Sequence, residues 1–266
     1  SKHKLTLSGL QGGSKVYDGT ATTPKLTVSG GDMSDAGAII WGADKIAVEF
    51  SIVDGENKSH ESLVNAGTYT ITIGDNGGGI SVIPQKREGI NTTENYEIYS
   101  SQSGSATYTI QPRKIKLTWQ EIASFVFSSA AQGLKINGVV SASKGGNGQL
   151  AVSSSSIKEA KIKGYAGNDV IEITVSGAKV HVADSKNSVM TAVISNVTGT
   201  NADGSNSILK NYEIVEGTTS GEFEIMPSVV SIDFTAMTAT LEKVYDGNNR
   251  VTAQIPDSYF TLSATG

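Results

Sequence analysis

The stretch Thr68-Tyr69-Thr70-Ile71-Thr72-Ile73 decides the fold. Tyr69, Ile71 and Ile73 alternate with three threonines, so a period of two gathers the apolar side chains on one face and the hydroxyls on the other. A half-buried strand of an antiparallel sheet has that pattern. Working outward, Tyr108 and Ile110 repeat it, and Ile115, Leu117 and Trp119 alternate with Lys114, Lys116 and Thr118. Turn-formers separate these stretches: Asp18-Gly19, Asp75-Asn76-Gly77-Gly78-Gly79 and Asn201-Ala202-Asp203-Gly204. Asp bonds its own downstream backbone, and Gly admits positive φ at little steric cost. Short strands between Gly, Asn and Asp clusters predict a sandwich or barrel. Helix is expected only as brief interruptions, around 156–163 and 34–39.

The chain also repeats itself, the mark of an array of similar units. Asn95-Tyr96-Glu97-Ile98 recurs as Asn211-Tyr212-Glu213-Ile214. Ala106 to Ile110, followed by Pro112, matches Gly221 to Ile225, followed by Pro227. Ile115, Leu117 and Trp119 follow the first proline at the spacing at which Val230, Ile232 and Phe234 follow the second. Lys15-Val16-Tyr17-Asp18-Gly19 recurs as Lys243-Val244-Tyr245-Asp246-Gly247, and between them as the degenerate Phe125-Val126-Phe127-Ser128-Ser129. Fainter matches join Lys4-Leu5-Thr6-Leu7 to Lys116-Leu117-Thr118-Trp119, Trp41–Ile46 to Tyr165–Val170, and Thr68–Ile73 to Val189–Ile194.

These marks divide the chain into unit A (1–112), unit B (113–227) and the first strands of a unit C (228–266). A unit of about 113 residues is large enough for its own core. No Gly/Ser linker surrounds Pro112 or Pro227, so the units are expected to follow one another with little hinge freedom. Unit C lacks its closing strands. Its residues are expected to be ordered by packing on unit B or on another molecule, and removing 235–266 to leave A and B unchanged.

The 21 basic and 26 acidic side chains give a net charge of −5, which argues against nucleic-acid binding, since phosphate neutralisation needs a basic stripe. There is no Cys, which excludes disulfides, thiolate metal sites and cysteine nucleophiles. No apolar run approaches the roughly 18 residues of a membrane span. No signal peptide or anchor motif is read within these residues, so an exported parent would carry them elsewhere. The 30 glycines, frequent Ser and Thr, and a charged fraction of 18% suit a polar, weakly charged extracellular surface.

Taken in order, the Lys-Val-Tyr-Asp-Gly marks, Asn65-Ala66-Gly67-Thr68-Tyr69, Asn95-Tyr96-Glu97-Ile98 and Tyr108-Thr109-Ile110-Gln111-Pro112 resemble the tandem YDG and MBG repeat domains of large bacterial surface and secreted proteins, adhesins among them. The resemblance spans unit A, most of unit B and the opening of unit C. It implies an exported, extracellular chain on the bacterial cell surface, β-rich and repetitive, with no catalytic site, cofactor or defined ligand.

The fold class expected is therefore all-β: tandem immunoglobulin-like β-sandwich repeats arranged end to end. The alternative is β-grasp-like units with one short helix each. No catalytic, cofactor-binding or metal residues are assigned. His3, His60 and His181 lack metal-site spacing. Gly145-Gly146-Asn147-Gly148 lacks the lysine of a phosphate loop, and Asp203-Gly204-Ser205 lacks the acidic spacing of a calcium loop. Trp41 and Trp119 read as core rather than as sugar platforms, because they fall in phase with inward residues. Lys4, Lys116, Asn95 and Asn211 could form a Lys–Asn isopeptide bond, but read as ordinary outward polar side chains.

Three functions fit. The first is a non-enzymatic stalk repeat with contacts from unit to unit within the chain. The second is a repeat that itself binds host or matrix glycan or protein. The third is an accessory β-module of a secreted polysaccharide-active enzyme. A shared exposed apolar patch would favour the second, and a catalytic domain elsewhere in the parent the third.

Overall fold

The computed structural model describes residues 3–29, 39–41, 44–73, 80–83, 96–100, 105–122, 124–143, 148–233, 244–247 and 261–265. They are all-β, in several sheets of the sandwich type. Residues 3–111 form β1 (His3–Gln11), β2 (Gly13–Val16), β3 (Lys25–Ser29), β4 (Ile39–Trp41), β5 (Asp44–Val48), β6 (Phe50–Asp54), β7 (Ser59–His60), β8 (Gly67–Ile73), β9 (Ile80–Ile83), β10 (Tyr96–Ser100) and β11 (Ala106–Gln111). Residues 113–226 form β12 (Arg113–Trp119), β13 (Ser124–Val126), β14 (Ile136–Ser141), β15 (Gln149–Leu150), β16 (Val152–Ser155), β17 (Glu159–Lys163), β18 (Val170–Ser176), β19 (Ser188–Thr198), β20 (Tyr212–Ile214) and β21 (Ser220–Met226). β22 (Val229–Asp233) and β23 (Thr261–Thr265) pair with each other.

The two long segments pair their strands alike. β1 lies parallel to β10 and antiparallel to β3, just as β12 lies parallel to β20 and antiparallel to β14. The second strand of each segment runs parallel to its last: β2 with β11, and β13 with β21. From there the order β11-β8-β6 corresponds to β21-β19-β18. The core alternates as the period of two demands. Tyr69 and Ile71 of β8 are buried while Thr68 and Thr70 are exposed and Thr72 is half-buried, and Ile115 and Leu117 of β12 lie buried between exposed Lys114, Lys116 and Thr118. Each such Ile or Leu contributes about 1.5–3 kcal/mol by leaving water.

Register corrects two of the alignments read from sequence. His3 pairs Tyr96 and Arg113 pairs Tyr212, so Leu5 and Leu7 correspond to Ile115 and Leu117, two residues from the match to Leu117 and Trp119. Tyr69 pairs Tyr108 and Ser188 pairs Phe223, which moves the Thr68–Ile73 match by two as well. A slip of two keeps every side chain on its face, so the pattern alone cannot detect it. Register sets Phe125 at the position of Lys15, as the degenerate motif implies. Lys15 pairs Ile110 and Phe125 pairs Ile225, and the amides of Tyr17 and Phe127 bond the carbonyls of Gln111 and Met226.

No helix interrupts 156–163. Glu159–Lys163 is β17, with Ala160 and Ile162 buried between exposed neighbours. The β-grasp alternative loses its helix there. Residues 34–38 lie outside those described, and Ile39 opens β4. Trp119 is half-buried against the core, and its indole N–H donates to the Thr218 carbonyl at 3.1 Å. The side chain of Trp41 lies outside the described residues.

Candidate functional site at the joint between the units

The Tyr-Asp-Gly turn follows β2 and leaves unit A. Asp18 shapes it. Its carboxylate accepts from the Lys15 ammonium at 2.9 Å and from the amide and hydroxyl of Thr20 at 2.9 and 2.7 Å. Burial opposes its ionisation, but these donors outweigh burial and hold the carboxyl below its ordinary value. Gly19 follows with φ +73°, and a Cβ there would lie 2.7 Å from Ala166 Cβ of unit B. Both the backbone and the neighbour therefore require glycine.

Tyr17 is fully buried, and unit B supplies its partners. Its hydroxyl stands 2.6 Å from Asn201 Oδ1 and 2.9 Å from Asp169 Oδ2. The Tyr212 hydroxyl donates to the same Asp169 oxygen at 2.8 Å, and Ser207 donates to Asp169 Oδ1. Three hydroxyl protons thus meet three acceptor oxygens, with none left over. The Tyr212 oxygen in turn accepts from the amides of Tyr165 and Ala166 at 3.0 and 3.2 Å, and the two tyrosine rings meet edge to face at 5.5 Å. Gly199, at φ +138°, lets its loop press on Asp169, whose Cα and Oδ1 lie 2.8 Å from where a Cβ would be. Burial, chiefly, raises the pKa of both tyrosine hydroxyls well above the usual phenol range, and the Asp169 carboxylate adds to it. Both remain donors at any physiological pH.

Around this centre the other repeat motifs interlock. Asn211 is fully buried; its Oδ1 accepts from the Ala66 amide at 2.8 Å and its Nδ2 donates to Asn65 Oδ1 at 2.8 Å. Asn201 Nδ2 reaches the same Asn65 oxygen at 3.2 Å. The Ala202 amide bonds the Gly19 carbonyl at 3.0 Å, and the Ser62 hydroxyl donates to Asp203 at 2.6 Å. Arg113, at the seam, is buried; its Nε donates to the Tyr17 carbonyl at 2.8 Å and its guanidinium lies 3.7 Å over the Tyr165 ring. Unit A thus presents a plug, and unit B a socket of bonded polar groups.

The residues considered from sequence fall out as follows. Asp203 belongs to the joint, where burial raises its pKa less than the Ser62 and Ser205 bonds lower it. Asn211 is not an outward polar residue, as read from sequence, but a buried one, while Lys116 is exposed. His60 bonds Asp54 at 2.8 Å and meets the Tyr69 ring at 5.2 Å; its hydrogen bond, first, and two backbone amides pull the Asp54 carboxyl down to about 2. His181 is exposed. The side chains of His3, Lys4 and Asn95 lie outside the described residues, as do Gly145, Gly146 and Asn147. Among the described residues no group of His, Cys, Asp or Glu is placed to hold a metal ion, and no helix is long and apolar enough to cross a membrane. Sequence reasoning missed Asn65, Asp169, Asn201 and Ser207 as joint residues. One signal was legible: a motif tyrosine in strand phase whose hydroxyl needs a partner.

Residues 4–112 match the family model of the MBG domain, in agreement with the MBG/YDG-type resemblance read from the motifs. That is a β-rich, non-catalytic domain family found in surface proteins. A comparison with curated proteins gives no match.

Proposed function

We propose that this chain is a non-enzymatic structural repeat of an exported bacterial surface protein. Its units are locked end to end and carry other parts of the parent away from the cell. One observation carries this reading: Tyr17 has no exposed surface, and its hydroxyl is bonded by Asn201 and Asp169 of the next unit. A chain whose units acted independently would gain nothing from burying its motif tyrosine in a neighbour. A fully satisfied polar network also fixes the angle between units more sharply than apolar contact does, because its bonds are directional. Small-angle scattering of the intact chain tests the reading. A single fixed separation between units A and B is expected, and a profile of freely reorienting units refutes it.

A second reading, direct adhesion to host or matrix glycan or protein, draws on an open apolar groove of unit B lined by Ala192, Val193, Ile194, Leu209, Tyr212 and Ile214. Val193 and Leu209 are 60% and 49% exposed there, more than a plain stalk requires. Saturable binding on a glycan or matrix-protein array, abolished by Val193→Ser with Leu209→Ser, would place this reading first.

A further inference from the structure

Arg113 is a buried cation that the joint does not neutralise. The residue is 3% exposed. Its Nε donates to the Tyr17 carbonyl at 2.8 Å, its Nη1 donates to Ser141 Oγ at 3.3 Å, and Tyr165 covers the guanidinium face. The second hydrogen on Nη1 and both on Nη2 meet no acceptor among the described residues. None of the ion pairs among those residues involves Arg113. Asp169, the buried carboxylate of the joint, spends its oxygens on Tyr17, Tyr212 and Ser207. A guanidinium keeps its charge at any physiological pH, so burial without a counter-charge stays costly. Ser155 Oγ is the one wholly buried side-chain polar atom without a partner among the described residues, so Nη2 reaches open space.

The neighbours of that nitrogen are donors too. Ser141 on β14 and Ser143 just beyond it are buried, and they flank the start of β12: Ser141 pairs Ile115, and the Ala142 amide bonds the Lys114 carbonyl at 2.8 Å. Ser141 Oγ accepts from Arg113, and Ser143 Oγ accepts from the Lys114 amide at 2.7 Å. Each hydroxyl therefore keeps its own proton to give, and no described acceptor takes either. No carboxylate of the described residues bonds to the cluster. One fixed positive charge among N–H and O–H donors is the complement of an oxyanion, and the planar fork suits phosphate and sulfate. We propose that Arg113, Ser141 and Ser143 form an oxyanion site at the seam, which takes a phosphate or sulfate group, either as the free ion or as an ester on a glycan. Because Arg113 also holds the Tyr17 carbonyl, occupancy draws the two units together. The site is independent of whether the chain serves as a stalk.

Heteronuclear NMR of the intact chain tests this at the side chain itself. Sodium phosphate, sodium sulfate and a sulfated disaccharide are titrated at constant ionic strength, with sodium chloride as the control. Thermal stabilisation alone would not serve, because sulfate stabilises folded proteins by exclusion from their surfaces. The Arg113 Nε–H and Lys114 amide signals are expected to shift saturably with phosphate and sulfate and to stay in place with chloride. Arg113→Lys keeps the charge but loses the fork, and should weaken binding at least about tenfold, read at the Lys114 amide. Ser141→Ala with Ser143→Ala should weaken it about tenfold, read at Arg113 Nε–H, and decides the matter should Arg113→Lys fail to fold. Exchange of the Ala66 amide, which bonds Asn211 across the joint, should slow several-fold with the anion bound, while that of Val139 stays level. Unchanged exchange at Ala66 on a saturated chain overturns the coupling to the joint. Tighter binding of the sulfated disaccharide than of sulfate assigns the group to a glycan, and equal or weaker binding assigns it to the free ion. A shift that does not saturate, one that chloride reproduces, or an affinity that these variants leave unchanged overturns the site.

Discussion

Two turns of this molecule sit at the same register and meet different fates. Tyr17-Asp18-Gly19 and Phe127-Ser128-Ser129 each follow a second strand that pairs in parallel with the last strand of its unit, and the amides of Tyr17 and Phe127 make equivalent bonds. Tyr17 is fully buried, while Phe127 is 39% exposed. Unit B completes the same strand pairing with no tyrosine hydroxyl, Asp or Gly in its turn. The motif is therefore not needed to fold the unit that carries it. Its side chains serve the neighbour: Tyr17 fills the socket of unit B, whereas Phe127 borders a shallow site with Val182, Pro227 and Val230.

Truncating both aromatics is the strongest way to break this comparison. Tyr17→Ala should cost about 3–5 kcal/mol, the usual penalty for removing a buried aromatic ring. Phe127→Ala should cost about 1–2 kcal/mol, because part of its ring already faces water. Calorimetry should show the loss at Tyr17 as separation of one transition into two, with units A and B melting apart. A single transition lowered equally by both substitutions would mean that Tyr17 belongs to the core of its own unit. Tyr17→Phe sharpens the point by taking away one proton donor. It leaves Asn201 Oδ1 buried with fewer partners, at about 1–3 kcal/mol. The split between transitions should persist in weaker form, and an unchanged thermogram would show that the ring alone makes the joint.

How much of this was legible beforehand follows from what a side-chain pattern encodes. Tyr69, Ile71, Ile115 and Leu117 were readable as core because alternation is a local signal. The two-residue slips in alignment arose because such slips preserve alternation, and only pairing with a third strand resolves them. The stretch 156–163 reads as helical because Glu, Ala and Lys favour helices, yet Ala160 and Ile162 fit a pleated face and the neighbouring strands make Glu159–Lys163 a strand. The joint was least legible. Asp169 and Ser207 stand in turns rich in polar residues, and nothing local distinguishes a carboxylate facing water from one facing two tyrosines 152 and 43 residues away in sequence. The seam without a linker was the legible hint that the units touch.

Acid should separate the two turns again, more mildly. The Asp18 and Asp203 carboxyls are both held below their ordinary values in the folded chain. A depressed carboxyl stabilises the fold above its unfolded pKa of about 3.9, and that stabilisation is lost as pH falls through the folded value. The joint should therefore loosen below about pH 4, while the Ser128-Ser129 turn, having no carboxylate, should not respond. Hydrogen exchange reads this directly. After correction for intrinsic rates, protection of the Ala66 amide, which bonds Asn211 across the joint, should fall between about pH 5 and pH 3, while that of Val139 in the unit B core stays level. Parallel loss at both amides would assign the acid response to the units themselves.

Phe127→Tyr is the smallest perturbation and the most direct. It returns to unit B the hydroxyl that its turn lacks. At Tyr17 the hydroxyl meets Asn201 and Asp169 inside the socket; at Phe127 the nearby lining is largely Val182, Pro227 and Val230, and the ring edge is open to solvent. A hydroxyl that bonds water in both the folded and the unfolded chain contributes almost nothing, so stability should change by less than about 0.5 kcal/mol. The same atom is expected to be worth several times that at Tyr17. A gain at Phe127 approaching the loss at Tyr17 would mean that the hydroxyl stabilises its own turn, and the division between a unit that folds and a motif that joins would fail.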